Sequence, residues 1–183
     1  ANGQQQADDV ESALKALVQQ PWVDKDRIIV AGQSYGGLAT IAFGARNFPG
    51  VRGLLNFAGG LRVDGGSCDW MSSLITAFSR YGAQTTLPSL WFYGENDSYF
   101  AHPLAETLHQ AYQAAGGSSQ LIAYEKFKND AHGMVGSRDG VRIWMPETER
   151  FLKRVGMPTE PVVQIADTPR PPATNFALVD NVP

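Results

Sequence analysis

The feature that most constrains this chain is a serine enclosed by glycines between an apolar strand and a helix. A β-branched strand predicted over residues 27–31 leads into Gly32-Gln33-Ser34-Tyr35-Gly36, and small apolar residues over 38–46 predict a helix after it. The spacing matches the G-x-S-x-G nucleophile elbow, whose strained strand-to-helix turn exposes the serine hydroxyl. The flanking glycines are predicted to be required because side chains there would collide with the strand and the helix. Ser34 is therefore the candidate nucleophile.

Several other classes of site are disfavoured by the sequence. A glycine-rich turn can hold a phosphate, but this one has neither the G-x-G-x-x-G pattern nor a Walker lysine. Net charge is −3 and the basic residues are scattered, which argues against a nucleic-acid or anionic-membrane partner. No apolar run is long enough to span a bilayer. No cysteine–histidine cluster has the spacing of a zinc site, and no metal or cofactor is expected.

Helical and strand patterns alternate along the chain, which predicts an α/β fold with a mostly parallel sheet and helices on both faces. The helix at 7–20 is expected to carry Asp8, Asp9 and Glu11 in its first turn, where the helix dipole favours negative charge. Six prolines follow Gly156, so 156–183 is predicted to be an extended tail or linker. Helices are predicted over 7–20, 38–46, 70–81, 103–115 and 142–155, and strands over 27–31, 51–58, 87–93 and 121–127.

A serine hydroxyl needs a base, and the base needs an orienting acid. Around a nucleophile elbow the chain order is serine, acid, histidine, with the acid just after a strand and the base after the next strand. Asp97 follows the strand at 87–93, and His132 follows the strand at 121–127. Because parallel strands end at one edge of their sheet, Ser34, Asp97 and His132 are expected to meet there.

Each of these assignments has a competitor nearby. Glu95 lies on the same turn as Asp97 and is the alternative acid. Asp130 is close to His132 in sequence and is expected to shape its turn. His102 and His109 fall at the start and in the middle of a predicted helix, where histidines are more often surface residues than bases.

Three segments give the chain a resemblance to the dienelactone hydrolase-related branch of the α/β-hydrolase superfamily. They are residues 26–37, residues 91–97 (Trp-Phe-Tyr-Gly-Glu-Asn-Asp) and residues 129–133 (Asn-Asp-Ala-His-Gly). The resemblance implies that Ser34, Asp97 and His132 form a catalytic triad, and that esters or lactones are hydrolysed without a cofactor. Dienelactone hydrolases themselves use a cysteine nucleophile, so the serine here favours a carboxylic ester. Residues 1–155 are thus interpreted as the C-terminal part of a hydrolase domain.

The same resemblance indicates that strands normally preceding the elbow are missing from this chain. Only one predicted helix comes before the strand at 27–31, and the β3–αA loop that supplies one oxyanion donor has no counterpart. The other donor is expected to be the backbone N–H of Tyr35. We therefore expect an N-terminal segment of the same protein to be a partner, as a separate or cleaved chain. Without it, the strand at 27–31 would be an exposed apolar edge.

Some features leave alternatives open. A prolyl-oligopeptidase-type peptidase and a non-catalytic binding protein with a hydrolase fold are the other functions considered. Cys68 cannot form a disulfide within this chain and is interpreted as a partly buried or idle thiol, with a disulfide partner outside this chain as the alternative. Ala1–Asp9 shows no signal-peptide pattern, so secretion would require a leader removed earlier. Four large residues could line a substrate pocket or simply pack in the core: Trp70, Met71, Tyr99 and Phe100.

Overall fold

A computed structural model describes residues 2–65 and 69–160 of the chain. Within these residues five helices and four strands alternate, and two short 3₁₀ turns lie between the last strand and the last helix. Cys68 and the tail at 161–183 lie outside the described residues, so the interpretations made of them remain predictions. The elements are α1 Asn2–Leu17, β1 Ile28–Gln33, α2 Tyr35–Gly44, β2 Val51–Phe57, α3 Trp70–Gln84, β3 Ser89–Gly94, α4 His102–Ala114, β4 Ser119–Tyr124 and α5 Val141–Arg154.

The four strands form one parallel sheet, as the alternating pattern predicts, and their order in the sheet is β1-β2-β3-β4. β1 pairs with β2 from Ile28 opposite Val51 to Gln33 opposite Phe57. β3 pairs with β2 on one side and with β4 on the other. Within the described residues, β1 and β4 are therefore the edge strands, and all four strands end at the same edge of the sheet.

The two faces of the sheet are covered by different elements, because successive side chains of a strand point to opposite faces. On one face, Leu54 and Trp91 pack with residues of α1, α2, α3 and α4. On the other face, Leu55 and Leu90 pack with Phe151 of α5 and with residues from the loop after β4. Each fully buried large side chain contributes about 1.5–3 kcal/mol to the free energy of folding.

Several predicted boundaries are wrong, and the corrections follow from the contacts. α1 spans Asn2–Leu17, not 7–20, so Asp8, Asp9 and Glu11 lie in its middle rather than in its first turn. The apolar pattern marked only the buried face of α1, and the polar first turn, residues 2–5, carries no apolar residue that could have extended that pattern. β4 ends at Tyr124, before the predicted 127, because the Phe127 N–H donates to Asn96 Oδ1 instead of continuing the sheet.

The remaining elements agree with their predictions to within a few residues. The helix at Trp70 is present and continues to Gln84, and β1 continues to Gln33, the residue before the candidate nucleophile. Among the helices of the described residues, none has the length and apolarity required to cross a membrane. The division of the chain at 155/156 remains a prediction.

Candidate active site

Ser34 occupies a strained turn between β1 and α2. Its φ of 54° and ψ of −122° lie outside the regions that a serine ordinarily adopts, at a cost of about 1–3 kcal/mol. The turn is over-determined by its neighbours, because the Ser34 N–H donates to Phe57 O at 2.9 Å and Gly60 N–H donates to Ser34 O at 3.1 Å. The Ser34 hydroxyl makes no capping bond to α2. This is the geometry of a nucleophile elbow.

The structure corrects the expected role of the glycines around Ser34. A Cβ at Gly32 would lie 2.1 Å from Gly36 O, and one at Gly37 would lie 2.5 Å from Asn56 Oδ1. A Cβ at Gly36 would have no described atom within 4 Å. The expectation of a collision is therefore right for Gly32 and wrong for Gly36. Gly37, the residue after the motif, is one position that allows α2 to approach β2 closely.

Asp97 lies in the turn after β3, and its side chain has no exposed surface. One carboxylate oxygen, Oδ1, accepts the backbone N–H of Tyr99 at 2.8 Å and that of Phe100 at 2.9 Å. Both carboxylate oxygens lie close to His132 Nδ1, Oδ2 at 3.0 Å and Oδ1 at 3.1 Å. The carboxylate is thus fixed by backbone donors and aimed at the imidazole.

His132 lies in the short 3₁₀ turn Ala131–Gly133 after β4, with only 16% of its side chain exposed. The hydrogen bond to Asp97 raises the pKa of His132 above the ordinary value of 6.5, against the opposing effect of burial. Asp130 Oδ1 accepts the His132 N–H at 2.9 Å, while the two Asp130 oxygens also accept the Ser98 N–H and hydroxyl. Asp130 therefore shapes the turn, as predicted.

The alternative acid and the alternative bases make contacts other than the Asp97–His132 contact. Glu95 is exposed and forms an ion pair with Lys126 at 3.6 Å, whereas the imidazole of His132 contacts Asp97. His102 Nε2 lies 3.1 Å from Tyr93 O. His109 packs edge-on against Trp91, with ring centroids 5.3 Å apart, and burial lowers its pKa. Both histidines are partly buried.

Aromatic side chains surround the imidazole on the exposed side of the site. The Tyr99 ring lies 4.6 Å from the His132 ring and is 49% exposed, while the buried Phe100 ring lies 5.9 Å away. Trp70 packs against the core cluster around α3, and Met71 is exposed. Tyr99 is therefore the predicted wall residue that is both next to His132 and open to solvent.

Two sets of contacts at the site were not predicted. Gln33 Nε2 donates to the backbone oxygen of His132 at 2.6 Å. Below the elbow, buried Asn56 donates to the Tyr93 hydroxyl at 3.1 Å, and that hydroxyl donates to Gly59 O at 2.6 Å. Neither set has a local sequence signal, because its members are far apart in the chain. In the part of the chain that the structure describes, no group of three His, Cys, Asp or Glu side chains could hold a metal ion.

Comparison with known proteins agrees with this architecture. Residues 1–48 match the model of the prolyl oligopeptidase family, and no curated protein matches the chain. A protein from Klebsiella pneumoniae subsp. pneumoniae MGH 78578, assigned as a dienelactone hydrolase, has a TM-score of 0.57 at 18% identity. Dipeptidyl peptidase 4 of Porphyromonas gingivalis has a TM-score of 0.62 at 19% identity, and an esterase of Pyrococcus furiosus has 0.59 at 15%.

These matches cover most of this chain but only part of the other proteins. The alignments include 80%, 83% and 80% of this chain, and 58%, 23% and 60% of the Klebsiella, Porphyromonas and Pyrococcus proteins respectively. At such identities the similarity shows the fold. The chain therefore has the α/β-hydrolase fold, and the prediction of that fold class is confirmed.

Proposed function

We propose that the whole protein is a serine hydrolase that cleaves carboxylic esters or lactones through an acyl-enzyme intermediate. The observation that carries this proposal is the buried Asp97–His132 pair, at the same edge of the sheet as Ser34 on its strained turn. A hydroxyl nucleophile requires a base, and the base requires an orienting acid. The three side chains supply those parts in the chain order that this fold uses.

In the proposed reaction, Ser34 Oγ attacks the carbonyl carbon of the ester while His132 Nε2 accepts the serine proton. The Asp97 carboxylate accepts a hydrogen bond from His132 Nδ1–H. This bond fixes the tautomer of the imidazole and stabilises the imidazolium. Collapse of the tetrahedral intermediate then breaks the bond to the alcohol, which leaves with the proton from His132. Water, deprotonated by His132, attacks the acyl-enzyme, releases the acid and restores the Ser34 hydroxyl.

The oxyanion of the tetrahedral intermediate is proposed to bind two backbone donors. Tyr35 is the first residue of α2, so its N–H has no acceptor within the helix and is available to a ligand. In this fold the second donor comes from the β3–αA loop, ahead of the elbow strand. We propose that an N-terminal segment of the same protein, as a separate or cleaved chain, supplies this donor. It would pair with the edge of β1 that has no partner among the described residues.

A serine peptidase is the second candidate function. The match of residues 1–48 to the prolyl oligopeptidase family favours it, and so does the likeness to a protein named dipeptidyl peptidase 4. The same triad would attack a peptide carbonyl, so the two functions differ in leaving group rather than in machinery. A non-catalytic binding role is disfavoured because all three groups of the triad are present.

Turnover measurements on the full-length protein separate these possibilities. We expect Ser34-dependent hydrolysis of short-chain 4-nitrophenyl esters, and much slower cleavage of dipeptide 4-nitroanilides. Ser34→Ala should abolish the ester reaction, whereas Ser118→Ala is the control, since Ser118 is exposed and precedes β4 at the opposite end of the sheet. Faster cleavage of the anilides would support the peptidase instead. Undiminished turnover in Ser34→Ala would contradict both.

A further inference from the structure

A hydrogen bond joins the residue before the candidate nucleophile to the backbone of the candidate base. Gln33 is the last residue of β1, and its exposed side chain donates from Nε2 to His132 O at 2.6 Å. The two residues are 99 positions apart in the sequence. We call this contact the Gln33–His132 bond.

The other contacts that hold His132 come from its own half of the site. Asp97 binds the imidazole, and Asp130 binds the His132 N–H. Asp130 in turn binds Ser98, which neighbours Asp97. These contacts fix His132 relative to the turn after β3. None of them connects His132 to the elbow that carries Ser34. Among residues 2–65 and 69–160, the Gln33–His132 bond is the hydrogen bond that ties the elbow to the His132 turn.

We propose that Gln33 is a positioning residue that fixes the separation of His132 Nε2 and Ser34 Oγ. Gln33 is covalently next to Ser34, so a bond from its side chain to the His132 backbone couples the nucleophile directly to the base. The contact needs an N–H donor at this position, because a carboxylate would bring its negative charge against the partly negative carbonyl oxygen. An asparagine would be one methylene shorter. A displacement of about 1 Å between reacting groups can cost about 10²-fold in rate.

This inference rests on the proposed function for its kinetic consequence, but the bond itself can be tested without it. In the full-length protein, Gln33→Ala and Gln33→Glu remove the donor at an exposed position. Gln113→Ala is the matched control, because Gln113 is also exposed and donates from Nε2 to a backbone oxygen, Ser119 O, at 2.9 Å. Gln113 lies near the end of α4, at the opposite end of the sheet from the triad.

Two measurements are made on each variant. Hydrogen–deuterium exchange of a peptide containing residues 130–134 reports whether the His132 turn is held. Steady-state kinetics with a 4-nitrophenyl ester reports whether that restraint matters for the reaction. For both Gln33 variants we expect faster exchange at 130–134 and a kcat about 10–100-fold lower, with KM nearly unchanged. Both quantities should stay at the wild-type values in Gln113→Ala.

The outcomes separate the positioning role from the function. Unchanged exchange at 130–134 together with unchanged kcat in Gln33→Ala would overturn the proposal. A rise in KM with constant kcat would also overturn it, since that pattern indicates substrate binding rather than positioning. If ester turnover in the wild type did not depend on Ser34, the proposed function would fail. The exchange measurement would then still decide whether Gln33 holds the turn.

Discussion

The two halves of the candidate site rest on very different strands. Asp97 follows β3, which is paired on both sides and has every residue buried. Ser34 follows β1, which is paired only with β2 among the described residues and has no fully buried residue. The acid–base half is thus complete within this chain, whereas the nucleophile half lies on an edge strand. In the function proposed above, completing the site therefore means covering β1.

The largest predicted effect tests the acid–base half. Asp97→Asn should keep the fold but favour the wrong imidazole tautomer, lowering kcat by about 10⁴-fold. Glu95→Gln is the matched control on the same turn, since the exposed Glu95 pairs with Lys126 rather than with His132. Steady-state kinetics on the two variants is the measurement. A larger loss in Glu95→Gln would move the acid to Glu95.

The next effect tests the edge of β1. Residues 1–183 expressed alone should self-associate, because an unpaired apolar strand edge is a template for aggregation. Their kcat for an ester should be about 10²–10³-fold below that of the full-length protein, the typical cost of losing one oxyanion donor. Sedimentation velocity measures the self-association, and steady-state kinetics measures kcat.

A positive charge introduced on β1 is a second test of the edge of this strand. Ala31 is exposed, so Ala31→Lys should reduce the self-association of residues 1–183, as lysines on edge strands do. Gln113→Lys adds the same charge on α4 and should leave self-association unchanged. A monodisperse chain with full activity would show that β1 needs no partner.

A smaller effect concerns the buried network that joins the two halves. Tyr93 lies on β3, yet its hydroxyl binds Gly59 O and Asn56 beside the elbow. Tyr93→Phe should lower the free energy of unfolding by about 1–3 kcal/mol, because it leaves buried polar groups without a partner. Tyr81→Phe is the control, since Tyr81 is equally buried and its hydroxyl makes no hydrogen bond to the described residues. The free energy of unfolding is measured by urea denaturation. An equal decrease in Tyr93→Phe and Tyr81→Phe would argue against a stabilising role of the network.

The smallest effect is a shift in pH dependence. His132 must be neutral to accept a proton, so kcat/KM should fall as the pH drops through its pKa. Because Asp97 raises that pKa, the midpoint should lie above 6.5 in the wild type and move to lower pH in Asp97→Asn. Glu95→Gln should leave the midpoint in place. A midpoint below 6.5 in the wild type would contradict the raised pKa.

The comparison of the two halves also shows what the sequence could predict. The Asp97–His132 contact was predictable, because parallel strands end at one edge and their following turns must meet there. The alternation of helices and strands likewise predicted a parallel sheet, although it did not predict the order of the strands. The Gln33–His132 bond and the Asn56–Tyr93 pair were not predictable, since each depends on a side-chain contact between distant elements. The free space around Gly36 could not be predicted from the motif either, because it also depends on how distant elements pack.

Ser34 is proposed to be a nucleophile that His132 activates. The most direct measurement is labelling of the full-length protein with a fluorophosphonate, followed by peptide mapping. We predict a single modified serine, Ser34, with labelling lost in His132→Ala and retained in Ser118→Ala. Labelling at another serine, or equal labelling of Ser34 in His132→Ala, would contradict the account.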